Sequence, residues 1–568
     1  MIQLINLKIN GEEISVKEGT TVLEAAKKLN YNIPSLCYQE DLSIYGSCRI
    51  CSVQIKGQPT LSIACGTEVS EGMEVITNSE RVMDTRKSIF ELLIANHQFD
   101  CELNCLTCSK AFSCELKKVA EAIGVESLRY KFIDQPFEID DTSKGVYREE
   151  SKCISCGRCV RVCNEVQTVS VLTMANRGPQ TKVSTFYDRG LGNVDCTQCG
   201  QCIKVCPTGA IHEVYHLNQV IHELRNPKKH VVVQIAPAVR VSIGELFGEK
   251  PGMNYEGQMV TALKKIGFDK VFDTNFTADL TIMEEGSEFI KRLETGENLP
   301  LITSCSPGWI NYAELRQQDL LKNISTCKSP QQMFGALSKT YYAEQEKLKR
   351  ENIVSVSIMP CTAKKFESKR SEMKDDVDFV LTTRELAKLI KSYSIDFLNL
   401  EITPFDAPFG ISTGAAAIFG TSGGVMEAAL RTAYEILTDE TLDTIDFEMV
   451  RGLTGTKEAT IKILDQEINV AIVSGLENAK QLLKNKEKYH FIEIMACPGG
   501  CLNGGGQPLH TDQEVLKKRM EGLYSIDEKR SIRRSHKNPA IQNIYEAFLI
   551  NPLSEKSHEL LHTSYKQR

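Results

Sequence analysis

The sequence predicts small cysteine-rich α+β domains followed by a large α/β domain with largely parallel sheets and flanking helices. Of the 21 cysteines, 16 lie between Cys37 and Cys206, in four groups of four. From about His230 onward, short apolar runs rich in β-branched residues alternate with helical stretches, which is typical of a parallel sheet. The 568 residues, 42% of them hydrophobic, suffice for about four domains with substantial cores.

The composition excludes several functional classes. The formal net charge of −7 is small for this length, and no basic segment indicates a nucleic-acid partner. The first residues contain no apolar core of signal-peptide length, and no apolar run approaches the ~20 residues of a membrane span. We therefore expect a cytoplasmic protein without a membrane partner, whose thiols bind metal rather than form disulfides.

Residues 1–80 are predicted to form a small α+β domain around a metal cluster. Alternating apolar residues flank the hairpin signal Asn10-Gly11, and residues 21–24 match a helix capping box. Two ligands from one tight loop, with one more on each side, suit a two-iron cluster, and a zinc site is the alternative. The candidate ligands are Cys37, Cys48, Cys51 and Cys65.

Residues 81–125 hold a second group, with five candidate ligands for one four-iron cluster. Such a cluster needs four ligands. The five candidates are His97, Cys101, Cys105, Cys108 and Cys114.

Residues 126–212 contain an internal repeat of two cysteine runs that share one spacing. It is the spacing of bacterial two-cluster ferredoxins, in which the fourth cysteine of each run ligates the other cluster. Four clusters in one chain, placed in series, would form a path for electrons. The predicted ligand sets are Cys153, Cys156, Cys159 and Cys206 for one cluster, and Cys163, Cys196, Cys199 and Cys202 for the other.

Three loops of the α/β domain, at residues 303–307, 359–361 and 496–506, each follow a short apolar run. Cysteines just beyond the ends of parallel strands meet at the carboxyl edge of the sheet, where open α/β folds bind ligands. Four cysteines at one edge make a thiolate cage for an iron–sulfur cluster. Glycines beside Cys497 and Cys501 leave room for a bulky group against the backbone.

These three loops resemble the signature loops of iron-only (FeFe) hydrogenases, in the long form with four accessory clusters. The resemblance implies an α/β catalytic domain over residues 213–520, preceded by small α+β ferredoxin-like domains. Residues 521–568 resemble a segment that is a separate small subunit in some relatives. The implied reaction is reversible proton reduction, 2H⁺ + 2e⁻ ⇌ H₂.

The resemblance also implies the cofactors. The active one is the H-cluster, a 4Fe-4S cubane joined through a cysteine sulfur to a di-iron unit with CO, cyanide and a dithiolate. One 2Fe-2S and three accessory 4Fe-4S clusters accompany it.

The resemblance assigns roles to residues of the catalytic domain. Cys361, Cys497 and Cys501 would ligate the cubane, with Cys501 as the bridge, and Lys364 would hydrogen-bond a cyanide. For the residues of the pocket lining, the competing interpretation is that they only pack in the core. For Glu285 and Glu288, the competing interpretation is that they only form one polar face of a helix, because residues at i and i+3 lie together. The lining would comprise Pro237, Ala238, Gln331, Met359 and Phe419, and the proton relay Cys305, Glu285, Ser325, Glu288 and Arg292.

Two positions depart from the family pattern. The second group keeps the family's internal spacing at Cys105, Cys108 and Cys114, and we favour these with His97 over sets that include Cys101. In the first loop, family members usually have a second cysteine where this chain has Ser306. Either Ser306 or Cys305 would then be the fourth cubane ligand, or the site would be incomplete.

Three functions compete. The first is a hydrogenase, expected as a monomer, that exchanges electrons with ferredoxin or flavodoxin and depends on maturation proteins for its cofactor. The second is a hydrogen or redox sensor, or a weakened homologue because of Ser306. The third is an electron-transfer subunit of a larger oxidoreductase, but that resemblance ends near residue 210.

Overall fold

The computed structural model describes residues 3–95, 97, 108, 110, 113–125, 128–130, 138–438, 440, 446–463, 466–509 and 511–568. Cys101 and Cys105 lie outside the described residues. No helix within these ranges is both long and apolar enough to cross a membrane.

The N-terminal domain is a five-stranded sheet with one helix across it. Its helix Val22–Lys28 begins at Thr21, whose side chain and that of Glu24 form the predicted capping box. The predicted hairpin is confirmed, because the first two strands pair antiparallel around Asn10-Gly11. In sheet order the strands are Glu12–Lys17, Leu4–Ile9, Glu74–Ile76, Ser52–Ile55 and Ser62–Ile63.

Short elements connect this domain to the large one. Helices Glu80–Ile94 and Glu115–Ile123 pack against the cluster-binding loops through Leu116, Ile123 and Ile154. Of the cysteine repeat, Cys159 lies on the small helix Arg158–Arg161 and Cys202 on the small helix Gln201–Val205. The small strands here are Ile139–Asp140, Val146–Glu149, Thr173–Ala175, Lys182–Ser184 and Ile211–Glu213.

The large domain contains two four-stranded sheets, and every strand predicted in it forms. The first sheet is wholly parallel. In the second, three strands are parallel, and the edge strand Thr456–Ile463 runs antiparallel to Gln466–Ser474, from which only two residues of the sequence separate it. In the first sheet the strand order is Lys270–Asp273, His230–Ile235, Ile353–Met359 and Phe379–Thr382. In the second sheet it is Leu301–Ile302, Phe491–Met495, Gln466–Ser474 and Thr456–Ile463.

Helices cover both sheets. The central one, Thr274–Thr295, is capped by Asp273 and is buried along most of its length. One of the helical stretches of the sequence, residues 331–348, forms two helices, Pro330–Ser338 and Tyr341–Gln345. Among the described residues of this domain, the other α-helices are Leu217–Leu224, Pro237–Arg240, Glu256–Ile266, Pro307–Arg316, Ala363–Glu367, Thr383–Ser392, Gly414–Ala417, Gly424–Thr438 and Leu476–Leu482.

The C-terminal segment is packed into the large domain. Its helices are Gln513–Lys529, Pro539–Ile544 and Glu555–Leu561. Arg519 pairs with Glu245 at 2.7 Å, and Asp527 pairs with the fully buried Arg431 at 2.8 Å. Because buried ion pairs are destabilising to break, these contacts fix the segment firmly.

Candidate functional site

The ends of the parallel strands open into one cavity. Cys361 follows strand Ile353–Met359, and Cys497 follows strand Phe491–Met495. Cys501 lies in the next turn, and Ser306 is the N-cap of helix Pro307–Arg316. All five predicted lining residues face this cavity: Pro237, Ala238, Gln331, Met359 and Phe419.

Cys305 and Ser306 are adjacent but have different neighbours. The Ser306 Oγ accepts a hydrogen bond from the Ala496 amide at 3.2 Å, next to Cys497. Burial raises the pKa of the Cys305 thiol well above its usual value, and the nearby Glu285 and Cys501 raise it further. Ser306 therefore lies on the Cys497 side of the cavity, and Cys305 lies toward Glu285.

Two glycines hold the loops in contact. A side chain at Gly504 would place its Cβ 2.2 Å from the Pro360 carbonyl oxygen. Gly200 has a φ of +72°, and a Cβ there would lie 2.2 Å from the Thr362 hydroxyl. Only glycine fits at either position, so the Cys361 loop touches both the Cys501 loop and the last accessory cysteine run.

Lys364 is buried at the cavity wall and held in place by a carboxylate. Its Nζ donates to the Cys305 carbonyl at 3.1 Å and to Glu367 Oε2 at 3.0 Å. Ser329 and Gln331 donate to the same Glu367 oxygen. Sequence reasoning missed Glu367 and Ser329; the i, i+3 spacing of Lys364 and Glu367 on one helix was the only local signal.

The outer relay residues Ser325, Glu288 and Arg292 are hydrogen-bonded to one another, whereas neither carboxylate oxygen of Glu285 has a hydrogen-bond partner. Ser325 Oγ donates to Glu288 Oε2 at 2.9 Å, and Arg292 donates to Glu288 Oε1 at 2.6 Å. Glu285 is 1% exposed, and burial together with Glu288 raises its pKa to about 8. The Ser325 hydroxyl and the Ser304 amide lower that pKa in part.

Three of the four predicted accessory sets lie wholly within the described residues, and in each of them cysteines lie close together. A second, smaller cavity is lined by all four cysteines of the first two-cluster set, Cys153, Cys156, Cys159 and Cys206. In the other set, Cys163 and Cys199 raise the pKa of the Cys202 thiol, and Cys163 raises that of Cys199, because these thiols are close neighbours. In the N-terminal domain, Cys51 and Cys65 have sulfurs 3.4 Å apart, and Cys37 hydrogen-bonds to Cys48 and Cys65.

Of the His97 group, His97, Cys108 and Cys114 are described. His97 is 5% exposed, and burial lowers its pKa to about 4. The imidazole is therefore neutral at physiological pH, which is the form that ligates metal. Cys114 and Cys156 belong to one apolar cluster, which also includes Cys37.

The last accessory cysteine run is fixed against all three loops of the cavity. Asn311, on the helix after Ser306, donates to the Cys196 carbonyl at 2.9 Å. Thr362 donates to the Gln198 carbonyl at 3.0 Å, and Gln201 donates to the Asn503 carbonyl at 3.0 Å. Cys199 itself lines the main cavity.

Comparison with known families matches almost the whole chain. Residues 229–505 match "Iron only hydrogenase large subunit, C-terminal domain", and residues 513–568 match "Iron hydrogenase small subunit". Residues 3–80 match "2Fe-2S iron-sulfur cluster binding domain". Residues 86–129 match "NADH-ubiquinone oxidoreductase-G iron-sulfur binding region", and residues 144–212 match "NADH-quinone oxidoreductase subunit 3, ferredoxin-like domain".

Individual relatives agree along their full length. "NADP-reducing hydrogenase subunit HndD" of Solidesulfovibrio fructosivorans is 49% identical and covers 100% of both chains. "Iron hydrogenase 1" of Clostridium pasteurianum is 41% identical over 98% of this chain and 99% of the relative. The chain belongs to the iron-only (FeFe) hydrogenase family.

A solved [FeFe]-hydrogenase HydA1 variant from Chlamydomonas reinhardtii resembles the large domain. It is 42% identical, with a TM-score of 0.56, over 62% of this chain and 99% of that one. The protein is thus an oxidoreductase acting on H₂ and protons, with 2Fe-2S and 4Fe-4S domains ahead of its H-cluster domain.

The residues present fit the cofactor. The main cavity is mostly apolar, and it is lined by Cys361, Cys497, Cys501 and Ser306, together with Cys305 and Cys199. Burial raises the pKa of Cys361, Cys497 and Cys501, so the thiols are protonated when no metal is bound. Bound iron replaces those protons, because metal binding deprotonates its thiol ligands.

Proposed function

We propose that the chain catalyses reversible proton reduction, with electrons and protons reaching the cavity from opposite sides. The observation that carries the proposal is the position of Cys199 and Cys305 on the wall of one cavity. Cys199 belongs to the last accessory cluster, and Cys305 is followed outward by Glu285, Ser325 and Glu288. A reaction that consumes both electrons and protons needs this arrangement.

In this proposal, Cys361, Cys497 and Cys501 hold the cubane, and Cys501 joins it to the di-iron unit. The H-cluster supplies the site where protons and electrons combine to H₂. Lys364, oriented by Glu367, offers a cation to an anionic diatomic ligand inside an apolar wall. The apolar lining excludes water from the site.

Protons move through side chains that can both accept and donate. Glu288 collects a proton near the surface, Ser325 passes it inward, and Glu285 presents it to the Cys305 thiol. With a pKa of about 8, the Glu285 carboxyl is present in both its protonated and its ionised form near neutral pH. This suits a group that gains and loses a proton in each cycle.

The four accessory clusters would form a branched path. The sets around Cys37 and around His97 share an apolar cluster with Cys156, so both lie beside the first cluster of the repeat. That cluster lies beside the one that reaches the cavity, because Cys159 acts on the pKa of Cys202. We keep His97, Cys105, Cys108 and Cys114 as the proposed ligands of the second group.

We assign the fourth cubane position to Ser306 and keep Cys305 as the proton donor. The bond from Ala496 places Ser306 beside Cys497, whereas Cys305 lies near Glu285 and Lys364. A serine oxygen is a harder ligand than a thiolate, so we expect an altered cubane potential and lower turnover. Because the remaining relay and pocket residues are all in place, we favour an enzyme over a sensor.

For the electron partner we propose ferredoxin or flavodoxin, which deliver single electrons to surface clusters. A second candidate is an NADP-linked partner, because the 49% identical relative is an NADP-reducing hydrogenase subunit. The chain itself has no nicotinamide-binding fingerprint.

The partner is tested by measuring H₂ evolution from matured protein with reduced ferredoxin, reduced flavodoxin or NADPH. Reduced methyl viologen serves as a partner-independent control. We expect turnover with ferredoxin and none with NADPH alone. Turnover only after addition of an NADPH-oxidising subunit would favour the second candidate, and no turnover even with methyl viologen would contradict the hydrogenase proposal.

A further inference from the structure

The outermost carboxylate of the relay has a second hydrogen-bonded branch, built by the C-terminal segment. Residues 561–563 pair antiparallel with residues 326–328, directly after Ser325. The pairing uses the bonds from the Lys328 amide to the Leu561 carbonyl and from the Thr563 amide to the Thr326 carbonyl, both 2.7 Å. It places the side chain of His562 beside the relay.

His562 is connected on both sides of its ring. Its Nδ1 lies 2.8 Å from the Thr326 hydroxyl, and its Nε2 lies 3.1 Å from Glu284 Oε2. The Thr326 hydroxyl donates to Glu288 Oε2 at 3.4 Å. A continuous chain of proton-capable groups thus runs from Glu288 through Thr326 to His562.

The branch ends close to the surface, where a second histidine packs against the ring of His562. The ring of the exposed His558 is centred 4.3 Å from that of His562, which is itself 7% exposed. Glu284 is fully buried and also accepts from the Tyr545 hydroxyl at 2.7 Å and the Leu553 amide at 2.8 Å. Such a carboxylate is ionised and anchors the Nε2–H of His562, so Nδ1 is the nitrogen free to exchange its proton.

We propose that His562 is a proton donor to the relay, acting through Thr326 on Glu288. This rests on the proposed relay and extends it with a branch that the C-terminal segment supplies. When His562 is doubly protonated, Nδ1–H donates to the Thr326 oxygen while the Thr326 proton passes to Glu288 Oε2. The Nδ1–H bond and the original Thr326 O–H bond break, one O–H forms on each oxygen, and the imidazolium and carboxylate both become neutral.

The reset follows from the same hydroxyl. Once Glu288 has passed its proton inward, the Thr326 hydroxyl turns back to it, and His562 takes up a new proton from solvent, to which 7% of its surface is exposed. The charged and titratable groups that surround the branch are Glu284, Glu285, Glu288, Lys291, Arg292, Cys327, Tyr545 and His558.

Two single variants and their double test this branch. His562→Gln and Thr326→Val should each lower turnover about tenfold, below the ~10²–10⁴ that positioned proton transfer contributes, because Glu288 keeps its direct route. The double variant should be no slower than either single, since the two groups act in series. The matched control is His536→Gln, which breaks a similar pair with Glu435, 2.9 Å apart and away from the relay; it should leave turnover unchanged.

Chemical rescue separates proton donation from structural support. Added imidazole should restore His562→Ala and should not change the parent or Thr326→Val. Unchanged turnover of both single variants with intact cofactor would overturn the proposal, as would defects that multiply in the double variant.

An infrared pH titration of the unmatured protein gives a readout without the cofactor. Thr326→Val should move the carboxyl band of Glu288, identified by its loss in Glu288→Gln, and His536→Gln should not. An unmoved band would contradict the branch even if the parent enzyme proves inactive, so failure of the branch and failure of the hydrogenase proposal are distinguishable.

Discussion

Replacing Glu285 with Gln should slow the enzyme and stabilise it at alkaline pH. Glu285 is fully buried, and its pKa is raised to about 8 from a usual 4.5 by burial and by Glu288. A carboxyl whose folded pKa is raised contributes stability that is complete below about pH 4.5 and lost as the pH rises through about 8. Applying 1.36 kcal/mol per pKa unit to that interval gives about 5 kcal/mol as an upper bound. Gln cannot ionise, so the variant avoids this loss.

The kinetic expectation is separate. Gln keeps the shape of the side chain but cannot exchange a proton, so turnover should fall about 10²–10⁴-fold, the range for positioned proton transfer. The matched control is Asp279→Asn on the same helix. Asp279 is also buried, with its pKa raised to about 7, but it bonds Thr413 and Asn538 rather than the relay. It should show the alkaline stabilisation without the loss of turnover.

The assay compares thermal unfolding temperatures of parent and variants from pH 5 to pH 9, together with H₂ evolution from reduced methyl viologen. The difference between Glu285→Gln and parent should grow with pH. Near-normal turnover with intact cofactor would refute the relay and leave the polar-face interpretation of this helix. A stability difference that does not change with pH would refute the raised pKa.

The remaining predictions concern the metal sites. Ser306→Cys should raise turnover and leave iron content unchanged, whereas Cys305→Ala should keep the cubane and lose turnover; loss of the cubane in Cys305→Ala would make Cys305 the ligand instead. Cys199→Ala should remove one accessory cluster and slow ferredoxin-driven H₂ evolution while preserving the infrared bands of the di-iron unit, and unchanged turnover would place that cluster off the main path. Fully matured protein should contain about 20 irons and no stoichiometric zinc; metal analysis that finds well under about 16 irons would contradict the four-cluster path.

The sequence predicted the parts of this molecule that depend on local pattern. Buried parallel strands such as Ile353–Met359 are continuous apolar runs, and the cysteine spacings are set by the short loops that wrap a cluster. The residues that make up each such signal are close together in the sequence, so the signal can be recognised before the fold is known.

Other features escaped prediction for physical reasons. The edge strand Thr456–Ile463 has Lys and Glu on its exposed face, so it lacks the apolar run used to find its neighbours. The anchoring of Lys364 by Ser329 depends on packing between two helices. His562 contacts Thr326 although the two are 236 residues apart in the sequence, so no local sequence pattern could predict that contact.

The most direct test of the central claim is the infrared spectrum of anaerobically matured protein, recorded with its rate of H₂ evolution. The account predicts CO and cyanide bands from the cavity bounded by Cys361, Cys497, Cys501 and Ser306, together with turnover that Ser306→Cys increases. Protein that has all its accessory clusters but shows neither band after maturation would contradict the account, because the cavity would then not hold the di-iron unit.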